Sequence, residues 1–257
     1  NLFPTNLWQQ KILNKLSLIM IKKYYHFVIL LLAWAWTNNL DFIGEELKYA
    51  AGFRFFPAGE AVLTFSEDSL NGESVYKLTT SIKTNSFLDA FYEVRDEIQS
   101  WLNPENLSLK KTIQTIREGS YHRDHQSIIQ GDSIAISGNK IRDLPGKVYD
   151  PVSFVYYLRS LDLNLGNSYK FFSYDRKKIR EVIVNITAKE IIRVSAGTFN
   201  CLKIEPVSGD GIPLLKNNGQ MRVWLSDDSL RLPVKIEQKT NIGTMVMKLK
   251  KIKHSLD

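Results

Sequence analysis

From Glu46 onward the chain alternates: Leu47, Tyr49, Ala51, Phe53 and Phe55 are separated by Lys48, Ala50, Gly52 and Arg54. A period of two is the pattern of a strand that buries one face. The "PAGE" that follows predicts a turn, and "AVLTFS" a second strand. Similar alternation recurs at Tyr76-Leu78-Thr80-Ile82, in "VIVNITA" and "FNCLKIE", at Met221-Val223-Leu225, at Leu232-Val234-Ile236 and at Met245-Met247-Leu249. Between such runs stand "LNGES", "NPEN", "EGS", "SGNK", "SAGT", "SGDG", "KNNG" and "SDDS", which supply Gly, Asn, Asp and Pro where a backbone has to reverse. Many strands at short intervals predict a mainly β fold, a curved antiparallel sheet or partly open barrel.

One segment breaks the alternation. In "DPVSFVYYLRSLDLNLG" Asp150 is placed to cap, Pro151 suits a first helical turn, and Val155, Leu158 and Leu161 recur at helical spacing before Gly166. This predicts one covering helix near 150–165. A shorter helix or turn is expected around Phe87 to Tyr92, in "FLDAFYE". Nothing repeats at a fixed period, and no shift in composition divides the chain.

The first residues read differently. "MIKKYYHFVILLLAWAW" has the order of a secretory signal peptide, with lysines, an apolar run from Phe27 to Ala35 and small residues at Ala33 and Ala35. The run is about half of the roughly 20 apolar residues a bilayer core requires, so a cleaved signal is expected over a membrane anchor. Residues 1–19 are then an upstream extension outside the fold, 20–35 the signal, and 36–257 a single β-rich domain. Loss of residues 1–35 from 257 leaves 222, and it removes four lysines and no acid. The 34 basic and 27 acidic residues become 30 and 27, a net charge near +3 in place of +7. That balance makes no case for nucleic acid. Cys201 is the single cysteine, so an exported chain has no internal disulfide and Cys201 is expected to be a small buried hydrophobe.

Common catalytic motifs are missing: there is no G-x-S-x-G, no G-x-x-x-x-G-K-[ST] and no G-x-G-x-x-G. The densest polar cluster is "YHRDH", in which a strand places His122 and Asp124 on one face and His125 on the other. Zinc needs about three converging protein ligands, so no metal or other cofactor is predicted. Adjacent Asp227 and Asp228 diverge and are expected to form a turn. Arg95 and Asp96 interrupt "YEVRDEIQSW" and predict a structural ion pair, with Arg159 or Asp162 as candidate partners, or a site for a ligand head group. Arg159 is expected to lay its stem on the sheet and bond a carboxylate there.

Taken in order, "GEELKYAAGFRFFPAGEAVL", "FYEVRDEIQSWLNPENLSLKK" with "REGSY", "LPGKVYDPVSFVYYLRSLDL", "VSAGTFNCLKIEP", and "MRVWLSDDSLRLPVKIE" with "NIGTMVMKL" resemble the bacterial domain-of-unknown-function family numbered 3108. The resemblance runs from about Gly44 to Leu249. It implies a secreted, mostly periplasmic, β-rich protein of Gram-negative bacteria, and it offers no catalytic residues to carry over. The curved sheet is similar in outline to half-barrel carriers of lipoproteins.

The expected function is a non-enzymatic periplasmic binding or carrier protein for an apolar ligand such as a lipid or acyl chain. Tyr49, Phe53, Phe55, Tyr157 and Trp224, with Leu63 and Phe65, are the candidate inward positions; Arg95, Asp96 and Arg159 are the candidate polar ones. The same apolar residues are equally expected of a closed core. Two alternatives stand beside it: a cell-envelope structural or assembly factor binding a protein partner at a sheet edge, and a hydrolase built on "YHRDH" or on Arg95-Asp96. Lipid, an envelope protein and transient or peripheral membrane contact are the partners considered.

Overall fold

A strand with one apolar face has to bury it, and this chain does so by winding one long meander around its own inner face. The computed structural model describes residues 42–53, 56–175, 177–211, 219–240 and 243–254. The expected extension at 1–19, the expected signal at 20–35, and Phe55 lie outside these residues. Phe42 to Asp257 belongs to one compact unit.

Eight strands, β1 (Glu46–Phe53), β2 (Phe56–Leu70), β3 (Glu73–Thr84), β4 (Arg95–Leu102), β5 (Leu109–Glu118), β6 (Tyr121–Gln130), β7 (Ile134–Ser137) and β8 (Lys140–Asp143), pair each with the next. Seven more do the same: β9 (Val148–Tyr149), β10 (Ser168–Asp175), β11 (Lys178–Val194), β12 (Gly197–Ser208), β13 (Gln220–Ser226), β14 (Pro233–Thr240) and β15 (Gly243–Lys253). β1 and β15 join the two runs, with Glu46 opposite Lys253 and Phe53 opposite Met245. The order is therefore that of an up-and-down barrel opened at one place, between the edge strands β8 and β9. Pairing is antiparallel except between β9 and β10. Mainly β with a curved, incompletely closed sheet is what the alternation predicted.

Turn chemistry explains most reversals. Asn71 (φ 54°) and Gly72 (φ 85°) both take the left-handed conformation that a two-residue hairpin between β2 and β3 requires. The turn expected at "PAGE" is a correction: Phe53 stands opposite Phe56, and Pro57 to Glu60 lie within β2. Pro57 is accommodated beside a register shift between Ala51 and Gly52. Gly59 serves close approach in place of a turn, since a Cβ there would lie 2.0 Å from the Lys83 carbonyl oxygen on β3.

The chain forms helices α1 (Ser86–Asp89) and α2 (Ser153–Arg159). Asp150 caps α2 as expected: its Oδ1 accepts from the backbone N–H groups of Val152 (2.8 Å) and Ser153 (3.0 Å). α2 is shorter than the predicted 150–165: after Arg159 the chain tightens, Ser160 N–H donating to the Tyr157 carbonyl and Leu161 N–H to the Leu158 carbonyl (both 3.1 Å). Six of its seven residues are buried. A helix buried nearly all round is enclosed by the inner face of the sheet rather than laid upon it. Phe154, Val155 and Leu158 pack there with Val182, Val184, Ile186, Leu202, Ile204, Val223 and Leu225.

Candidate functional site

The interior is built from three neighbouring regions, and only one of them is polar without being closed by its own bonds. The first is the apolar cluster around α2 just described. The second is a buried ion pair at the start of β1. Arg159, 1% exposed, reaches from α2 to Glu45, 2% exposed, with Nη1 to Oε1 and Nη2 to Oε2 both at 2.7 Å. Nε and Nη2 also donate to the Leu230 carbonyl, each at 3.2 Å. The guanidinium lies 4.4 Å from the Phe42 ring centroid and 4.7 Å from that of Tyr156. Burial alone would lower its proton affinity, but the hydrogen bonds and charge of Glu45 outweigh that and raise it. Tyr156 donates to Glu45 Oε1 (2.8 Å) and Tyr49 to the Pro233 carbonyl (2.8 Å). Burial raises the pKa of both phenols well above the ordinary tyrosine value. Arg159 thus bonds a carboxylate as expected, and that carboxylate is Glu45.

The other sequence-predicted residues are not gathered with it. Arg95 is exposed and bonds Asp89 through Nη1 (3.1 Å) and Nη2 (2.7 Å), and Asp96 accepts from the Arg117 backbone N–H (2.8 Å). The expected pairing of this segment with Arg159 or Asp162 is therefore corrected; Asp162 instead faces Arg231 at 3.6 Å. Phe53 is exposed at the end of β1. Tyr157 stacks on Tyr149, with centroids 4.4 Å apart, at the margin of the apolar cluster. Trp224 lies between Val223 and Leu225 of that cluster, so alternation puts it on the opposite face. There its indole donates to Glu190 (2.9 Å) and carries Lys235 over its ring (4.3 Å). Asp228 accepts from the N–H groups of Leu230 and Arg231 (both 3.0 Å), the turn predicted for this pair. Cys201 is buried, and desolvation first, then Asp228, Asp227 and Glu190, push its thiol up to about 12.

The third region was missed by sequence reasoning. Directly paired residues share a face of a sheet, and the register runs Leu78 to Ser100, Ser100 to Thr112, and Thr112 to Ser127 across β3, β4, β5 and β6. A parallel row runs Thr80, Ile98, Gln114, His125. Thr80, Ser100, Thr112, Gln114, His125 and Ser127 are all buried. This is a wall of hydroxyl, amide and imidazole groups, in contrast to the hydrocarbon cluster around α2. It faces β10: Gln114 Nε2 donates to Asp175 Oδ1 (3.3 Å), and the Ser127 hydroxyl lies 3.0 Å from Tyr174 Oη and 3.0 Å from His125 Nε2. Among the described residues the hydroxyls of Thr80 and Thr112 find no hydrogen-bond partner. A buried polar group left unmatched costs about 1–3 kcal/mol, so two on one wall call for an explanation.

Ser127 and His125 are within bonding distance of each other on the wall, and Ser127 is fully buried. His122 and Asp124 point outward, Asp124 bonding Arg117 (2.8 Å). At the wall's edge, burial raises the Asp96 carboxyl above the ordinary aspartate value despite the opposing Arg117 N–H. The folded state therefore holds the proton more tightly than the unfolded one. Stability from this source is complete below the unfolded value and is lost as pH rises through the folded value. Asp96→Asn is expected to remove that fall, so urea unfolding across the acid range should show the variant gaining on the wild type as pH rises.

A model of the family described as "Protein of unknown function (DUF3108)" matches residues 47–250. No curated protein matches the chain. Among solved structures, a β-barrel-like protein of domain of unknown function DUF1849 from Brucella abortus is similar, with a TM-score of 0.57 at 10% identity, covering 82% of this chain and 98% of that one. A DUF1089 family protein from Pseudomonas aeruginosa gives a TM-score of 0.34 at 10% identity, covering 72% and 87%. The first likeness shows a shared fold.

Proposed function

For a chain that belongs to the DUF3108 family, we propose a non-enzymatic binding protein of the periplasm that holds a lipid-like amphipathic ligand on the inner face of its curled sheet. The ligand's polar group bonds the wall on β3 to β6, and its apolar part lies toward the half that encloses α2. The observation that supports this most directly is the pair of buried, unmatched hydroxyls on Thr80 and Thr112. Sites built to bind hold polar groups whose partners arrive with the ligand, at a cost to the unliganded fold. The signal-like segment from Met20 to Ala35 supports the compartment. An edge-binding role has less support, since the exposed edge strand β8 carries Lys140, Arg142 and Asp143, charges that discourage strand addition.

Thr80→Val and Thr112→Val keep shape while removing the hydroxyls. The double variant is expected to be more stable than the wild type without ligand, by about 1–3 kcal/mol for each unmatched group removed. It should also lose the ligand that native mass spectrometry with organic extraction finds on gently purified wild-type protein. A double variant that is less stable and retains the same bound mass would overturn the proposal.

A further inference from the structure

One end of the sheet displays aromatic side chains to solvent in a connected group. Phe87 and Phe91 are 60% and 77% exposed, and Phe53, Phe56, Tyr92 and Met245 are exposed with them. They touch in sequence: Phe53 stands opposite both Phe56 and Met245, the Phe56 and Phe87 centroids are 5.6 Å apart, and those of Phe87 and Phe91 are also 5.6 Å apart. Single exposed apolar residues need no explanation, but a connected group of this size on a folded surface marks an interaction site.

The group is held in place. Asn85 bonds the β1–β2 hairpin twice, through N–H to the Ala58 carbonyl (2.8 Å) and Nδ2 to the Pro57 carbonyl (2.9 Å). Its Oδ1 caps α1 by accepting from the Leu88 N–H (3.0 Å). Asp89 is fixed by the Thr84 hydroxyl (2.5 Å) and by Arg95 (2.7 Å). Phe87 on α1 and Phe91 just past its end are thus presented by a bonded scaffold, which reduces the entropy lost when they are immobilised.

Among the described residues the flanking charges pair off, two bases against three acids. Lys83 pairs with Glu60 (2.8 Å), and Arg95 with both Asp89 (2.7 Å) and Glu93 (3.3 Å). Such a set has no excess of positive charge with which to select an anionic surface, and it is matched by one whose own charges cancel in place. We propose that this aromatic rim seats the protein on a zwitterionic lipid surface, with the Phe87 and Phe91 rings entering the headgroup boundary. This docking is separate from ligand binding at the wall, and it would bring the protein to a source of lipid-like ligand.

Vesicles of phosphatidylcholine alone test it. The full chain and its Phe87→Ser/Phe91→Ser variant are compared by flotation, so the identical N-terminal segment contributes equally to both. Burying a phenylalanine side chain is worth about 1.5–3 kcal/mol, so the variant should bind at least about tenfold more weakly. A Phe91→Trp variant supplies a local signal: its added emission should be quenched by brominated phosphatidylcholine and shift to shorter wavelength. Binding should hold when salt is raised. Equal binding by the serine variant, an unquenched added tryptophan, or a requirement for anionic lipid would overturn the proposal, as would a wild type that self-associates through the rim. Thr80→Val/Thr112→Val should bind vesicles as wild type does, so failure of the wall and failure of the rim are read separately.

Discussion

Replacing Glu45 with alanine is expected to lower the unfolding free energy by about 3–5 kcal/mol, because it leaves a guanidinium buried without its counter-charge. Arg159 is 1% exposed and would keep only the Leu230 carbonyl and the faces of Phe42 and Tyr156. Those contacts orient a cation but do not neutralise it. The loss should appear as a fall in the urea midpoint of about 1 M or more. It should persist at high salt, since a buried pair is little screened. Glu45→Leu/Arg159→Met is the informative control: replacing both charges with hydrocarbon of similar size is often neutral or stabilising, so the double variant should recover most of the loss. An unmoved midpoint in the single variant would mean that water reaches Arg159 and that α2 is not held by this pair.

The importance of that pair was half legible in the sequence. Arg159 stood out because a cation on the apolar face of a helix needs a carboxylate. Its partner did not, since Glu45 is 114 residues away and sits beside Glu46 in a run that looks like an ordinary polar strand start. Periodicity carried the strands and the site of α2, since both follow from local spacing. It could not carry the length of α2, which closes after Arg159 with three-residue bonds from Ser160 and Leu161 back to Tyr157 and Leu158. The polar wall was illegible for a related reason. Alternation assigns polar positions to solvent, and on β3 to β6 the face with Thr80, Ser100, Thr112 and Ser127 turns inward. Trp224 went the opposite way: in "RVWLS" three consecutive apolar residues hide the period, and the largest of them lies on the other face of the sheet, buried beneath Lys235. Among the described residues turn chemistry misled at "PAGE", where the glycine answers a neighbouring strand's carbonyl instead of a reversal, while "KNNG" lies almost wholly outside them.

Phe154→Ala separates the fold's apolar half from the proposed binding wall. Phe154 is buried, its ring stacked on Phe171 with centroids 3.7 Å apart and planes 11° apart, within the cluster that joins α2 to β10 to β13. Truncation removes the transfer energy of the ring, its stacking and the contacts around it, and the enclosing strands cannot collapse far into the space. The expected loss is about 3–5 kcal/mol of unfolding free energy, read as a lower urea midpoint. The same variant then asks where a ligand's apolar part ends. If recognition rests on the hydroxyls of the wall, the folded variant should bind the same mass as wild type, and ligand in excess should return part of the lost stability by mass action, about 2.7 kcal/mol at a hundred times the dissociation constant. If the apolar part instead penetrates the cluster beside α2, the new space should admit longer chains and shift the extracted masses upward. Bound masses that disappear altogether from a variant still folded would place the seat of the ligand at Phe154 itself and would remove the wall from the account.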